Sequence, residues 1–289
     1  SRRFVAAALC GLALAGAVLA ARSQGPAAPQ VVRPSRTEVI KPLRKESFDD
    51  LGQCPEKRQG GNPRRTSGYL VFDAATDGNR QVDPQVAVGG GYVLTGTNTG
   101  FIIYSKDGEY VRGASQACFN GGIDPKMFYD PHNKVFGFDL WYYWDKPKIK
   151  PVNISVSETS DPRGGWNTYP ISSPDEGDGG AIGYSRKWIG YTYPGGDENT
   201  MVIRTAEAKA GKPATVYHFK GHLGQPIFGQ DPIDDILFFR IDRGDFVINR
   251  TGEDRDGTPV ILPAVRKAHG LTNTVSPPQS PQKRTITNT

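Results

Sequence analysis

Between about residues 69 and 250 the apolar positions come in short runs bounded by Gly, Pro, Asp and Asn, and the runs repeat in a fixed order. Asp83-Pro84 opens Gln85-Val86-Ala87-Val88. Gly91-Tyr92-Val93-Leu94-Thr95-Gly96 follows, then Gly100-Phe101-Ile102-Ile103-Tyr104-Ser105. Asp124-Pro125 opens Lys126-Met127-Phe128-Tyr129, ahead of Val135-Phe136-Gly137-Phe138 and Ile154-Ser155-Val156-Ser157. Asp178-Gly179-Gly180 opens Ala181-Ile182-Gly183, ahead of Trp188-Ile189-Gly190-Tyr191-Thr192 and Met201-Val202-Ile203. A weaker fourth copy holds Gln225-Pro226-Ile227-Phe228, Asp235-Ile236-Leu237-Phe238-Phe239 and Asp245-Phe246-Val247-Ile248. Each unit reads as a short strand, a turn, a buried strand and a third strand.

The leading aspartates, 83, 124 and 178, lie 41 and 54 residues apart, near the roughly 40–50-residue period of β-propeller blades, which predicts an all-β propeller of about four blades over 69–250. A β-sandwich is the competing architecture. Composition agrees with an all-β class. The 289 residues include 35 Gly and 23 Pro, well above average usage of about 12% for the two together, and both residues weaken helix interiors. Mean hydropathy is -0.49, which excludes a polytopic membrane protein.

The flanks differ in character. Ser1-Arg2-Arg3, the apolar run Phe4–Ala21 and Val18-Leu19-Ala20 follow the order of an export signal with its cleavage site over residues 1–21. A secreted or periplasmic destination follows, with no membrane contact beyond that signal. Residues 22–68 are basic and proline-rich and show no sustained period, so they are expected as a linker packing on the domain edge. Residues 251–289 are expected as a disordered or truncated tail. The net charge of +5 comes from these ends, since 69–250 is mildly acidic; no nucleic-acid partner is expected. Ser1 in place of Met, and a repeat that stops after four units, fit a piece of a larger ring as well as a small closed one.

Export leaves Cys54 and Cys118, an even number in an oxidising compartment. A disulfide between them would contribute about 4 kcal/mol; the alternative is two unpaired thiols. The histidines lack zinc-ligand spacing, and no nucleophile elbow, phosphate loop or dinucleotide fingerprint is present. No metal or cofactor is therefore assigned. Oxygen-rich loops around Asp73, Asp77, Asn79 and Asp83, around Asp175, Glu176 and Asp178, and around Asp231, Asp234 and Asp235 suit calcium in type but not in spacing.

Two stretches carry a family resemblance. Asp124-Pro125-Lys126-Met127-Phe128-Tyr129-Asp130 is one, and Ser157-Glu158-Thr159-Ser160-Asp161-Pro162-Arg163-Gly164-Gly165-Trp166 is the other. Together they resemble secreted bacterial β-propeller proteins of the sialidase-like, Asp-box kind. The physical reading of the second phrase is a turn capped by Asp161, freed by Gly164 and Gly165 and plugged by Trp166. Gly164 stands three residues after Asp161, where the standard box has two.

Asp83-Pro84, Asp124-Pro125 and Glu176-Gly177 are also similar to the phrases of five-bladed propeller glycosidases. That likeness implies Asp83 as general base, Asp124 as the residue tuning a pKa and Glu176 as general acid of an inverting hydrolysis. The competing reading has these aspartates fixing turns. Trp141-Tyr142-Tyr143-Trp144 is a dense aromatic run, and Trp141, Tyr143 and Trp188 are the candidate ligand-facing aromatics, against a role in packing. Two functions remain at this point. One is a non-enzymatic recognition or scaffold module for carbohydrate or an extracellular protein partner. The other is a glycoside hydrolase acting on a polysaccharide.

Overall fold

The computed structural model describes residues 31–43, 45–47, 60–66, 68–74, 83–115, 119, 122–141, 150–173, 180–193, 195–221, 223–227, 234–242 and 245–267. The export signal expected over 1–21, both Cys54 and Cys118, and the C-terminal stretch beyond 267 lie outside the described residues. What is described is mostly β-strand, with almost no helix.

Four strands precede the repeat: β1 (Arg36–Ile40), β2 (Lys45–Ser47), β3 (Gly61–Thr66) and β4 (Tyr69–Asp73). The repeat itself gives four antiparallel meanders in succession. The first is β5 (Gln85–Gly89), β6 (Tyr92–Thr97), β7 (Gly100–Ser105) and β8 (Tyr110–Ser115). The second is β9 (Ile123–Asp130), β10 (Val135–Trp141), β11 (Lys150–Ser157) and β12 (Gly165–Ser173). The third is β13 (Ala181–Tyr184), β14 (Trp188–Thr192), β15 (Thr200–Arg204) and β16 (Ala214–Phe219), with the single described helix, α1 (Thr205–Lys209), between its last two strands. The fourth is β17 (Gln225–Pro226), β18 (Leu237–Asp242), β19 (Asp245–Glu253) and β20 (Pro259–Lys267).

Two expected boundaries change. Residue 250 falls inside β19, and the stretch taken as the start of a tail supplies β20, which pairs along β19 from Glu253 to Phe246. The segment taken as a linker is also structured in part. Val32 bridges to Ile261 of β20, β1 pairs along β16, and β2 pairs with β12. These contacts make β1 and β2 the fifth strands of the third and second sheets. Their partners lie more than a hundred residues away in sequence, which no local period reveals.

Strands of the middle sheets bury both faces, because a second sheet lies on each side. Along β10, Phe136, Phe138 and Leu140 join Phe101, Ile103 and Phe119 on the first-sheet side. Val135 and Trp141 point the other way, into a cluster with Ile189, Tyr191 and Met201 of the third sheet. Trp188, Val202 and Phe219 face Phe238 and Ile261 of the fourth. Tyr104 and Ile102 pack under Phe72 of the β3–β4 hairpin. Each fully buried aromatic among these contributes about 1.5–3 kcal/mol from apolar burial. Gly137 is part of this packing. A Cβ there would meet the Phe128 ring at 2.2 Å, so the ring lies directly on the backbone.

Candidate functional site

The meander connectivity brings the start of each first strand and the end of each second strand to one end of its sheet. At that end of the first and second sheets lie Asp83, Asn98 and Asp124. Asn98 Nδ2 donates to Asp83 Oδ2 (3.1 Å), and Asn98 Oδ1 accepts the backbone N–H of Asp124 (2.8 Å). The single amide of Asn98, in the β6–β7 turn, therefore joins the two aspartates singled out in the sequence. Asp124 holds φ +53°, a left-handed conformation that Asp tolerates better than most residues. Asp83 is exposed. Glu176 and Tyr143, the remaining proposed acid and one of the aromatics, lie outside the described residues.

The two other aromatics belong to the core. Trp141 is 2% exposed; its indole N–H donates to the Tyr191 hydroxyl at 2.6 Å and its ring meets Tyr193 at 4.5 Å between centroids. Trp188 is fully buried, with the Arg204 guanidinium 4.4 Å over its ring and Tyr217 edge-on. Their faces are occupied by protein, which is the packing alternative weighed for them above.

Behind the rim sits a carboxyl that the sequence reading passed over. Asp139 is fully buried at a register shift between β9 and β10. Its Oδ1 accepts the Lys126 N–H at 2.6 Å, which satisfies a backbone donor that the irregular pairing leaves free. Oδ2 accepts no hydrogen bond of ordinary length. Burial raises its pKa to about 7, with the Lys126 N–H and a weak interaction with the Tyr191 hydroxyl pulling the other way. Burial and the nearby Asp139 charge in turn hold the Tyr191 hydroxyl well above the ordinary tyrosine range. A carboxyl titrating near neutrality is chemically suited to proton transfer. Here its one satisfied oxygen serves the fold. The signal was present in the sequence, as one acidic residue inside the otherwise apolar run Val135–Trp141.

The Ser157–Trp166 phrase closes the β11–β12 turn largely as read. Asp161 takes the Arg163 N–H (3.0 Å) and a two-pronged contact from its guanidinium, and these hold the carboxyl below its ordinary range. Trp166 is buried and donates to the Pro162 carbonyl at 2.8 Å. One detail is corrected: neither Gly164 nor Gly165 adopts a positive φ, so the turn does not use their conformational freedom.

The acidic loops considered for calcium are only partly described. Asp73 pairs with Arg64, Asp234 with Arg186 and Asp235 with Arg250. Among the described residues no group of three or more His, Cys, Asp or Glu side chains is arranged to hold a metal ion, and no helix is long and apolar enough to cross a membrane. No family model matches the chain, and no curated protein matches it significantly.

Proposed function

We propose that the four meanders are blades of a β-propeller and that the protein is an exported, non-enzymatic recognition module. Its ligand, carbohydrate or an extracellular protein partner, docks at the end where the first strands begin. The blade reading is supported by the side-by-side placement of successive first strands: β9 lies along β5 and β13, and β13 along β17. In a propeller these inner strands line the axis, and loops at one end gather around it. The observation that carries the functional reading is the Asp83–Asn98–Asp124 relay. It presents hydrogen-bonding groups at the rim of two sheets, while Trp141, at the end of β10, is turned inward.

The test is a binding screen against plant and bacterial polysaccharides and extracellular protein extracts, run beside an assay for sugar release. Asn98→Ala breaks both links of the relay. It is expected to weaken captured ligand at least tenfold while the protein stays folded, with a melting temperature lowered by the loss of the Asp124 N–H acceptor. Release of sugar by the parent and not by Glu176→Gln would replace this reading with the inverting hydrolase, in which Asp83 is the base and Glu176 the acid.

A further inference from the structure

We propose that the N-terminal segment, residues 31–43 with 45–47, is a strap that is held on the outer edges of the fourth, third and second sheets at neutral pH and released from the third by mild acid. The segment touches each sheet in turn: Val32 at Ile261, β1 along β16, Leu43 N–H on the Thr168 carbonyl, and β2 along β12. Its central strand is unusual. In β1 the inward positions hold Arg36, Glu38 and Ile40; only Ile40, at the C-terminal end, packs on the apolar core, while Val39 points out and is 69% exposed. Apolar burial therefore anchors the Ile40 end of β1, and polar contacts hold its Arg36–Glu38 half.

Those contacts converge on one imidazole. His218 of β16 is fully buried under the strap. Arg36 Nη2 approaches its Nδ1 at 3.1 Å, and Glu38 Oε1 approaches its Nε2 at 2.9 Å. A guanidinium has donors only, so Nδ1 must accept, and the ring proton sits on Nε2 and is donated to Glu38. Arg36 is held in turn by Glu38 (3.0 Å) and by Glu198 (3.3 Å) from the β14–β15 loop, and Ser35 Oγ donates to Glu198 as well. Among the described residues the charged groups acting on the ring are Arg36 and Glu38 from β1 and Glu198 from the loop. Directly across on β15 is Met201, which does not titrate.

A second ring proton has one place to go, Nδ1, and there it meets the Arg36 N–H. Two donors then face each other and the contact that pins Arg36 is lost. Burial, then the Arg36 charge, disfavours the protonated ring while the strap is seated. The sign follows. The detached strand leaves His218 with an ordinary affinity for protons, so detachment takes up a proton and is favoured as pH falls below about 6.5. The slope is at most about tenfold per pH unit for one proton. A released β1 leaves the backbone edge of β16 open to an extended strand from elsewhere.

The test is amide exchange on the intact chain from pH 7.5 to 5.5, corrected for intrinsic rates. Peptides covering residues 36–40 are expected to lose protection by up to about tenfold per pH unit below 6.5, while those covering β10 and β15 hold theirs. His218→Gln presents a carbonyl to Arg36 and an amide N–H to Glu38, so it fixes the neutral arrangement and its β1 protection is expected to stay flat. An equal pH dependence in parent and His218→Gln would refute the proposal. If that variant does not fold, the His218 ring-proton shift in the parent decides the matter. Titration in step with the loss of β1 supports the strap; a ring that titrates while β1 stays protected overturns it.

Discussion

Replacing Asp139 by Asn isolates the energetic consequence of the buried carboxyl. The amide oxygen of Asn keeps the acceptor for the Lys126 N–H, so the irregular pairing of β9 and β10 stays satisfied while the ionisable proton is gone. In the parent the pKa rises from 3.8 to about 7 on folding. The native state then binds a proton that the unfolded chain lacks throughout that window, and stability must fall as pH rises through it. Two-state linkage with those two values gives a loss of roughly 2–3 kcal/mol between pH 5 and pH 8 from this one group. Urea unfolding of parent and variant at pH 5, 6, 7 and 8 measures it. The gap between them is expected to shift by that amount in favour of Asn as pH rises. The His218 contribution is common to both and cancels. A gap that stays constant from pH 5 to pH 8 would mean that Asp139 is ionised in the folded protein at all these values, and the raised pKa would be withdrawn.

Gly137→Ala places a Cβ 2.2 Å from the Phe128 ring, and that ring is itself stacked on Tyr184 at 5.0 Å, so it has little room to yield. The expected cost is about 1–3 kcal/mol, read as a lowered Tm; an unchanged Tm would show that the ring moves freely. Trp166→Phe removes the hydrogen bond to the Pro162 carbonyl and part of a fully buried side chain, at an expected cost of about 1–3 kcal/mol by urea unfolding. Unaltered stability would mean that the β11–β12 turn does not depend on its tryptophan.

The repeat was legible because its inner strands carry their own signal. The runs at 85–88, 92–96 and 100–105 became β5, β6 and β7, and the equivalents in the second and third units did the same. The fourth strand of each sheet was not legible. β8 reads Tyr-Val-Arg-Gly-Ala-Ser and β12 begins Gly-Trp-Asn-Thr; both are mixed sequences without a clean alternation. β1 was hidden for a stronger reason. Its inward face is mixed, Arg36 and Glu38 followed by Ile40, because its first half covers the polar edge around His218. At the site, Asp83 and Asp124 were visible through their Asp-Pro phrases. The residue that joins them, Asn98, sits in an ordinary-looking Thr-Asn-Thr turn and is recognisable only in three dimensions. Trp141 and Trp188 misled in the opposite direction, since a tryptophan in a strand has the same spelling whether it faces a sugar or another sheet.

The strap also fixes an order of events during folding. Arg36 and His218 are 182 residues apart, and the meander that carries His218 must exist before β1 has an edge to pair with. The earlier part of the chain is therefore the later to arrive, after a closure that is entropically slow. Until it does, the backbone edges of β12, β16 and β20 stand bare on the outside of a nearly finished structure. That interval, rather than the completed fold, is when neighbouring copies of the chain are most able to join edge to edge, and it lengthens with anything that delays the seating of the strap.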